Sequence, residues 1–301
     1  MRLSTTTNIL SLRDPTPPVL TVFKEMDLCY AAGFRHLDLH LGAQAHEGYP
    51  LAQDEWESWV DAVGEKAAKL NVTICQGHSF HYKTHESTDM RLNRAWYEER
   101  FRRSIVAAHR LGIQWLVMHA CDFNDDPEYD FDKARAFNLR YWQPFVELAA
   151  SLDVGIAFEN LYASGQHARY CSEVDELIDL VDTFRDPHVG VCWDTGHAHV
   201  AGQDQPSAIR KLGSRLKAMH IHDNHGLPKG DEHLLPFFGT LDWPSIMQAV
   251  HEIGYDNNFS LEVKQALHHL PPELCGDMLR FMYSLGHELM GLGTANKEAA
   301  S

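Results

Sequence analysis

Glu159, Asp194, His220 and Glu262 each close a short apolar run, in the segments IAFEN, VCWDTGH, AMHIHD and FSLEV. A hydrophobic core has no use for charge at the end of strand after strand. A metal site does, because hard or borderline cations draw several oxygen and nitrogen ligands from distant parts of a chain. Two glutamates, an aspartate and a histidine form an oxygen-rich set suited to Mn²⁺, Zn²⁺, Co²⁺ or Mg²⁺. A lone glutamate at a strand end is more often solvated or salt-bridged; four such residues at successive strand ends point to one centre. His78 in ICQGHS, His119 in WLVMHA and His197 three residues beyond Asp194 are further candidate ligands, and loop histidines bonded to backbone are the alternative. Asp231 and His233 form an Asp-x-His pair in GDEHLLPFFG, a spacing that chelates but is weak by itself. His222 shares the parity of His220 and sits higher, where substrate contact and support of a ligand are both open to it. Asp38 and His40 alternate at the end of another apolar run and reach toward the same pocket. His222, Asp223 and His225 are alternatives near His220. Phe80, Tyr82, Trp193, Phe237 and Phe238 are candidate walls, with core packing as the commoner role for such residues. Lys264 is placed to meet an anion or to remain a surface lysine.

These residues need strands to carry them. Strand patterns run over Leu3–Thr7, Arg35–Leu41, Val72–Ser79, Gln114–Ala120, Gly155–Asn160, Val189–Trp193, Leu216–His222 and Asn258–Val263. Helical patterns alternate with them near Thr21–Ala32, Gln53–Leu70, Arg94–Leu111, Asp132–Leu152, Glu173–Phe184, Pro206–Leu212, Trp243–Ile253 and Leu274–Leu289. Glycines follow helical runs in AAGF, RLGI and EIGY, where they suit a left-handed cap. Asp242 before Trp243 and Pro244 reads as an N-cap with proline in the first turn. Near-continuous apolar strands joined through helices require a parallel sheet with its outer face covered. Eight such units without a break predict an α/β fold, a (β/α)₈ TIM barrel, as a single domain over residues 1–301 with a frayed tail from about 291. The absence of GxGxxG after the first strand separates it from a dinucleotide-binding sheet. In such a barrel the C-terminal strand ends form the mouth, and every residue named as a ligand at a strand end falls there.

Composition bounds the rest. Of 301 residues, 44% are apolar and 23% charged, the balance of an ordinary folded domain. A formal charge of −16 argues against a nucleic-acid partner. The basic cluster Arg100, Arg102 and Arg103 reads as a solvated helix face. Six cysteines without CxxC spacing suit buried thiols in a reducing compartment. No apolar run approaches a membrane span and the first residues do not read as a signal peptide, so a cytoplasmic location is expected.

The motifs FEN at Glu159, WDTGH at Asp194–His197, HIHDN from His220, DEHLLPFFGTLDW at Asp231–Trp243 and SLEV at Glu262 resemble the xylose-isomerase-like barrel superfamily over nearly the whole chain. That superfamily includes sugar phosphate isomerases and epimerases, inosose dehydratases and the endonuclease IV group. The resemblance to the epimerase branch implies one divalent metal on Glu159, Asp194, His220 and Glu262, with the two glutamates flanking the carbon whose proton moves. The resemblance to the endonuclease IV group implies three zinc ions, held by His78, His119, Glu159, Asp194, His197, His220, Asp231, His233 and Glu262. The expected function is a metal-dependent sugar or sugar phosphate isomerase or epimerase working through an enediolate. Glu159 and Glu262 would exchange the proton, and His197 or His222 would bind a substrate hydroxyl. A multinuclear zinc phosphoester hydrolase, a metal-dependent polyol dehydratase and a non-catalytic binding protein are the alternatives. A homodimer is the expectation from how often such enzymes associate. Two departures stand out: Gly226 occupies a position where tagatose and psicose epimerases carry arginine, and PFFG replaces the related PGxG loop.

Overall fold

The computed structural model describes residues 1–10, 14–81, 93–121, 129–163, 169–228 and 230–293. Tyr82 and the tail from 294 onward lie outside them. Eight parallel strands close into a barrel in chain order. They are β1 Arg2–Thr6, β2 His36–His40, β3 Thr73–His78, β4 Trp115–His119, β5 Gly155–Glu159, β6 Val189–Asp194, β7 Leu216–Ile221 and β8 Asn258–Leu261, with β8 pairing back onto β1. Around them run α1 Pro18–Ala32, α2 Trp56–Leu70, α3 Arg94–Leu111, α4 Phe131–Ser151, α5 Val174–Phe184, α6 Thr195–Val200, α7 Gln205–Leu212, α8 Trp243–Glu252, α9 Lys264–His268 and α10 Cys275–Gly291. The caps are as expected: Gly33 and Gly112 close α1 and α3 in the left-handed region, and the Asp242 carboxylate accepts the Ser245 N–H at the start of α8. Among the described residues no helix is long and apolar enough to cross a membrane.

Strand parity divides the side chains into two populations. Leu37 and Leu39, Leu116 and Met118, Ile156 and Phe158, Val191 and Trp193, Met219 and Ile221, and Phe259 and Leu261 face outward and join the large core beneath the helices. The opposite parity faces the barrel axis. There Trp115, Val117, Ala157, Cys192 and Ala218 form a separate small cluster low in the barrel. The next inward position up each of these strands is polar: His119, Glu159, Asp194 and His220 follow Val117, Ala157, Cys192 and Ala218. The same two-residue step that builds the barrel core therefore delivers the polar set to its mouth.

Candidate metal centre

The four strand-end donors converge. One ligand atom each from Glu159, Asp194, His220 and Glu262 lies within 4.8 Å of all the others. All four residues are buried, at 5% exposure or less. His220 Nδ1 is 2.6 Å from Glu159 Oε1 and 3.6 Å from Glu262 Oε2. Its other nitrogen, Nε2, lies 3.1 Å from Asp38 Oδ2, which also accepts from Gln76 Nε2 at 2.6 Å and Ser260 Oγ at 3.0 Å. A register shift between Leu37 and Asp38 sets Asp38 opposite Gln76. Asp38 thus sits below the mouth, behind a candidate ligand, rather than in the pocket itself.

Asp194 ends β6 and caps α6, its Oδ1 accepting the His197 N–H at 2.7 Å. That turn brings His197 back over the mouth. It depends on Gly196: a Cβ there would stand 1.8 Å from His222 Cε1. The remaining expected ligands gather around the central four. His119 Nε2 is 2.5 Å and His78 Nε2 3.4 Å from Glu159 Oε2. Asp231 Oδ2 lies 3.0 Å from His233 Nε2 and 3.6 Å from His197 Nε2. Three of these imidazoles share one device. His78 Nδ1 donates to the Ser79 carbonyl, His197 Nδ1 to that of Asn160, and His233 Nδ1 to that of Glu262, at 2.8, 2.9 and 2.9 Å. A neutral ring so bonded carries its lone pair on Nε2, the arrangement of a metal-binding histidine with its outer hydrogen bond in place.

Electrostatics favour anions here. Burial would raise the Glu159 and Glu262 carboxyls, but His220, with His119 beside the first and Lys264 beside the second, holds both well below the usual carboxylate range. Burial likewise opposes ionisation of Asp231, and His197 and His233 overcome it. Burial also disfavours charge on His197, yet Asp194 and Asp231 lift it to about 10, whereas burial pulls His119 down to about 4. Buried carboxylates that stay ionised beside imidazoles form a donor set suited to a divalent cation.

A cavity of about 260 Å³ opens onto this set, walled by His40, His78, His119, Glu159, His197 and Glu262, among others. His222 is fully buried and not part of that wall. Its Nε2 is 3.0 Å from Asp194 Oδ1 and its ring stacks on His233 at 4.0 Å, so the expected contact with a substrate hydroxyl gives way to support of Asp194 and His233. The aromatic wall also differs from expectation. Trp193 points outward into the core and donates to Gln205, Phe80 packs among His46, Trp96 and Tyr97, and Phe237 and Phe238 are 48% and 58% exposed. Tyr162 and Leu161 line the cavity instead, with Arg169, His81 and Lys264. His81, stacked on His119 at 4.7 Å, had a signal in its spacing of three from His78. Tyr162 and Arg169 follow β5 in a connecting segment, where no alternation marks them. Asp223 and His225 take structural roles: Asp223 accepts from Asn224, Phe237, Leu241 and Trp243, and His225 pairs with Glu232.

Residues 26–285 match the family model described as xylose isomerase-like TIM barrel, and the chain belongs to that family. The uncharacterised protein y4fM of Sinorhizobium fredii is 26% identical over 259 residues, 79% of each chain. The D-psicose 3-epimerase of Enterocloster bolteae is 29% identical over 158 residues, covering 52% of this chain and 49% of that enzyme. A crystal structure described as a D-tagatose 3-epimerase-like protein superposes with a TM-score of 0.72 at 20% identity, covering 96% of this chain and 99% of that one.

Proposed function

We propose that the protein is a divalent-metal-dependent isomerase or epimerase of a small sugar or sugar phosphate, moving a proton alpha to a carbonyl. One observation carries the reading: Glu159, Asp194, His220 and Glu262 bring ligand atoms within 4.8 Å of one another beside a small cavity whose wall includes both glutamates. The donor chemistry, three carboxylates and an imidazole held at 5% exposure or less, fits Mn²⁺ or Zn²⁺. Such an ion would supply Lewis acidity toward the substrate carbonyl, making the neighbouring C–H more acidic. The relationship to a psicose epimerase supports the carbohydrate class.

In this reading one of Glu159 and Glu262 takes the alpha proton as a carboxylate, and the other, once protonated, supplies a proton to the enediolate in its place. Return to the same carbon from the opposite face epimerises; return to the neighbouring carbon isomerises. His197, with Nε2 directed inward, donates a hydrogen bond to a substrate hydroxyl oxygen. Arg169 and Lys264 on the wall are suited to an anionic substituent such as a phosphate. A second reading, a multinuclear zinc phosphoester hydrolase, draws on the inward Nε2 atoms of His78, His197 and His233 around Glu159 and Asp231. The cavity's size and the acidity of the chain speak for a small molecule over a nucleic acid.

Incubation with ketoses and their phosphates in D₂O, with Mn²⁺ or Zn²⁺ added, tests the first reading by proton NMR. Loss of the signal alpha to the carbonyl is expected, and Glu159→Gln should slow it by roughly 10² to 10⁴-fold. Unchanged exchange in that variant would remove Glu159 from the acid–base role.

A further inference from the structure

We propose that His40 is a fixed hydrogen-bond donor to a negatively charged substrate oxygen, its tautomer set by the turn after β2. The inference rests on the proton-transfer reading above. The backbone N–H of Ala43 donates to His40 Nδ1 at 3.0 Å. An acceptor nitrogen carries no proton, so the single ring proton of the neutral imidazole is on Nε2. This is the reverse of His78, His197 and His233, whose Nδ1 atoms donate to carbonyls. A neutral His40 therefore has no Nε2 lone pair for a metal and takes no proton from substrate there. It donates.

The turn that enforces this is tightly built. Thr7 Oγ1 accepts the His40 N–H at 3.0 Å, and the Gly42 N–H reaches the His78 carbonyl at 3.0 Å. A Cβ on Gly42 would approach the Ser79 carbonyl to 2.7 Å, so a side chain there would push the turn off its place. The His40 ring stacks on His78 at 5.0 Å and 11°, and His78 stacks on His220 at 5.4 Å and 10°. His40 is thus the outer member of three parallel rings rising from the central ligand set, on the cavity wall with Glu262 and Lys264. Among the described residues no hydrogen-bond acceptor pairs with its Nε2. Lys264 Nζ, 3.8 Å from Glu262 Oε1, adds a second donor to the same wall. A wall of donors beside a candidate base suits an oxygen that gains negative charge as the alpha proton leaves. The proton on Nε2 stays in place throughout, which sets this role apart from that of the glutamates.

The test uses full-length zinc-loaded protein and acetohydroxamate, a planar oxyanion that chelates metals. Long-range ¹⁵N–¹H spectra of the histidine rings should contain one signal of the Nε2–H form with an acceptor Nδ1, absent from His40→Leu. Zinc content should be equal in wild type, His40→Leu and His40→Gln. Acetohydroxamate binding by calorimetry should weaken about 10- to 100-fold in His40→Leu, the loss of one charge-assisted hydrogen bond. It should return to within a few-fold in His40→Gln, whose amide also donates. Loss of zinc in either variant, or unchanged hydroxamate affinity in His40→Leu, overturns the proposal. Failure of acetohydroxamate to bind the zinc-loaded wild type would count against the proton-transfer reading, while the ring signal and zinc content would still decide whether His40 is a donor or a ligand.

Discussion

Asp38 carries the clearest consequence at the scale of single residues. Its Oδ2 holds His220 Nε2 at 3.1 Å, leaving Nδ1 toward Glu159 and Glu262, while its Oδ1 is buried without a hydrogen-bond partner. A carboxylate behind a ligating imidazole fixes the ring and makes it a stronger donor, and its loss costs roughly 10–100-fold in metal affinity. Asp38→Asn is isosteric and should keep the fold, so competition titration with a metal chelator should show that loss with an unchanged circular dichroism spectrum. Much at this scale was legible in the sequence. Glu159, Asp194, His220 and Glu262 were readable because strand parity is rigid and a polar residue at an inward position has one place to go. His222 shares that parity but not the pocket, because the Gly196 turn passes over its ring and His233 stacks on it. The tautomer of His40 was not legible, since it depends on a hydrogen bond from Ala43 made by the shape of a turn.

Among elements, the connection from β7 to α8 shows how a loop without regular structure is held. Asp223 accepts four hydrogen bonds within it, from the backbone of Asn224, Phe237 and Leu241 and from Trp243 Nε1, at 2.9–3.2 Å. It also pairs with Leu234 in an antiparallel bridge, which sets Asp231 and His233 over the mouth. Asp223→Ala leaves those donors unmet, a cost of about 3 kcal/mol or more, visible as a lower midpoint in urea. A second element-scale effect concerns Glu25 of α1, which accepts the Ile9 N–H at 2.8 Å and ties down the segment after β1. Burial raises its carboxyl from 4.5 to about 7. Between those values the folded chain binds more protons at this site than the unfolded one, so this group makes stability fall as pH rises. Below 4.5 both states are protonated, and above about 7 the loss is complete. Glu25→Gln should flatten that segment of the stability–pH curve. Across it, the stability of wild type relative to the variant should fall by up to about 1.4 kcal/mol for each step of one in pH, read from urea titrations. Strand boundaries agree with the sequence reading to within a residue or two because β-branched and apolar runs end sharply. Helix α1 starts at Pro18 rather than Thr21, since proline in the first turn needs no amide partner. The short α6 and α9 left no helical periodicity to read, at six and five residues.

For the molecule as a whole, the barrel explains why residues spread from His78 to Glu262 meet at one mouth, and why an acidic chain keeps ionised carboxylates under cover there. Family membership agrees with that architecture. A single divalent ion on Glu159, Asp194, His220 and Glu262, serving proton transfer as proposed, sets the metal content at one ion per chain. Elemental mass spectrometry of protein purified without chelator or added metal should give about one equivalent, largely lost in His220→Ala. Two or three equivalents of zinc, with His78, His119, Asp231 and His233 required to hold them, would contradict the one-metal account and turn the site toward phosphoester hydrolysis.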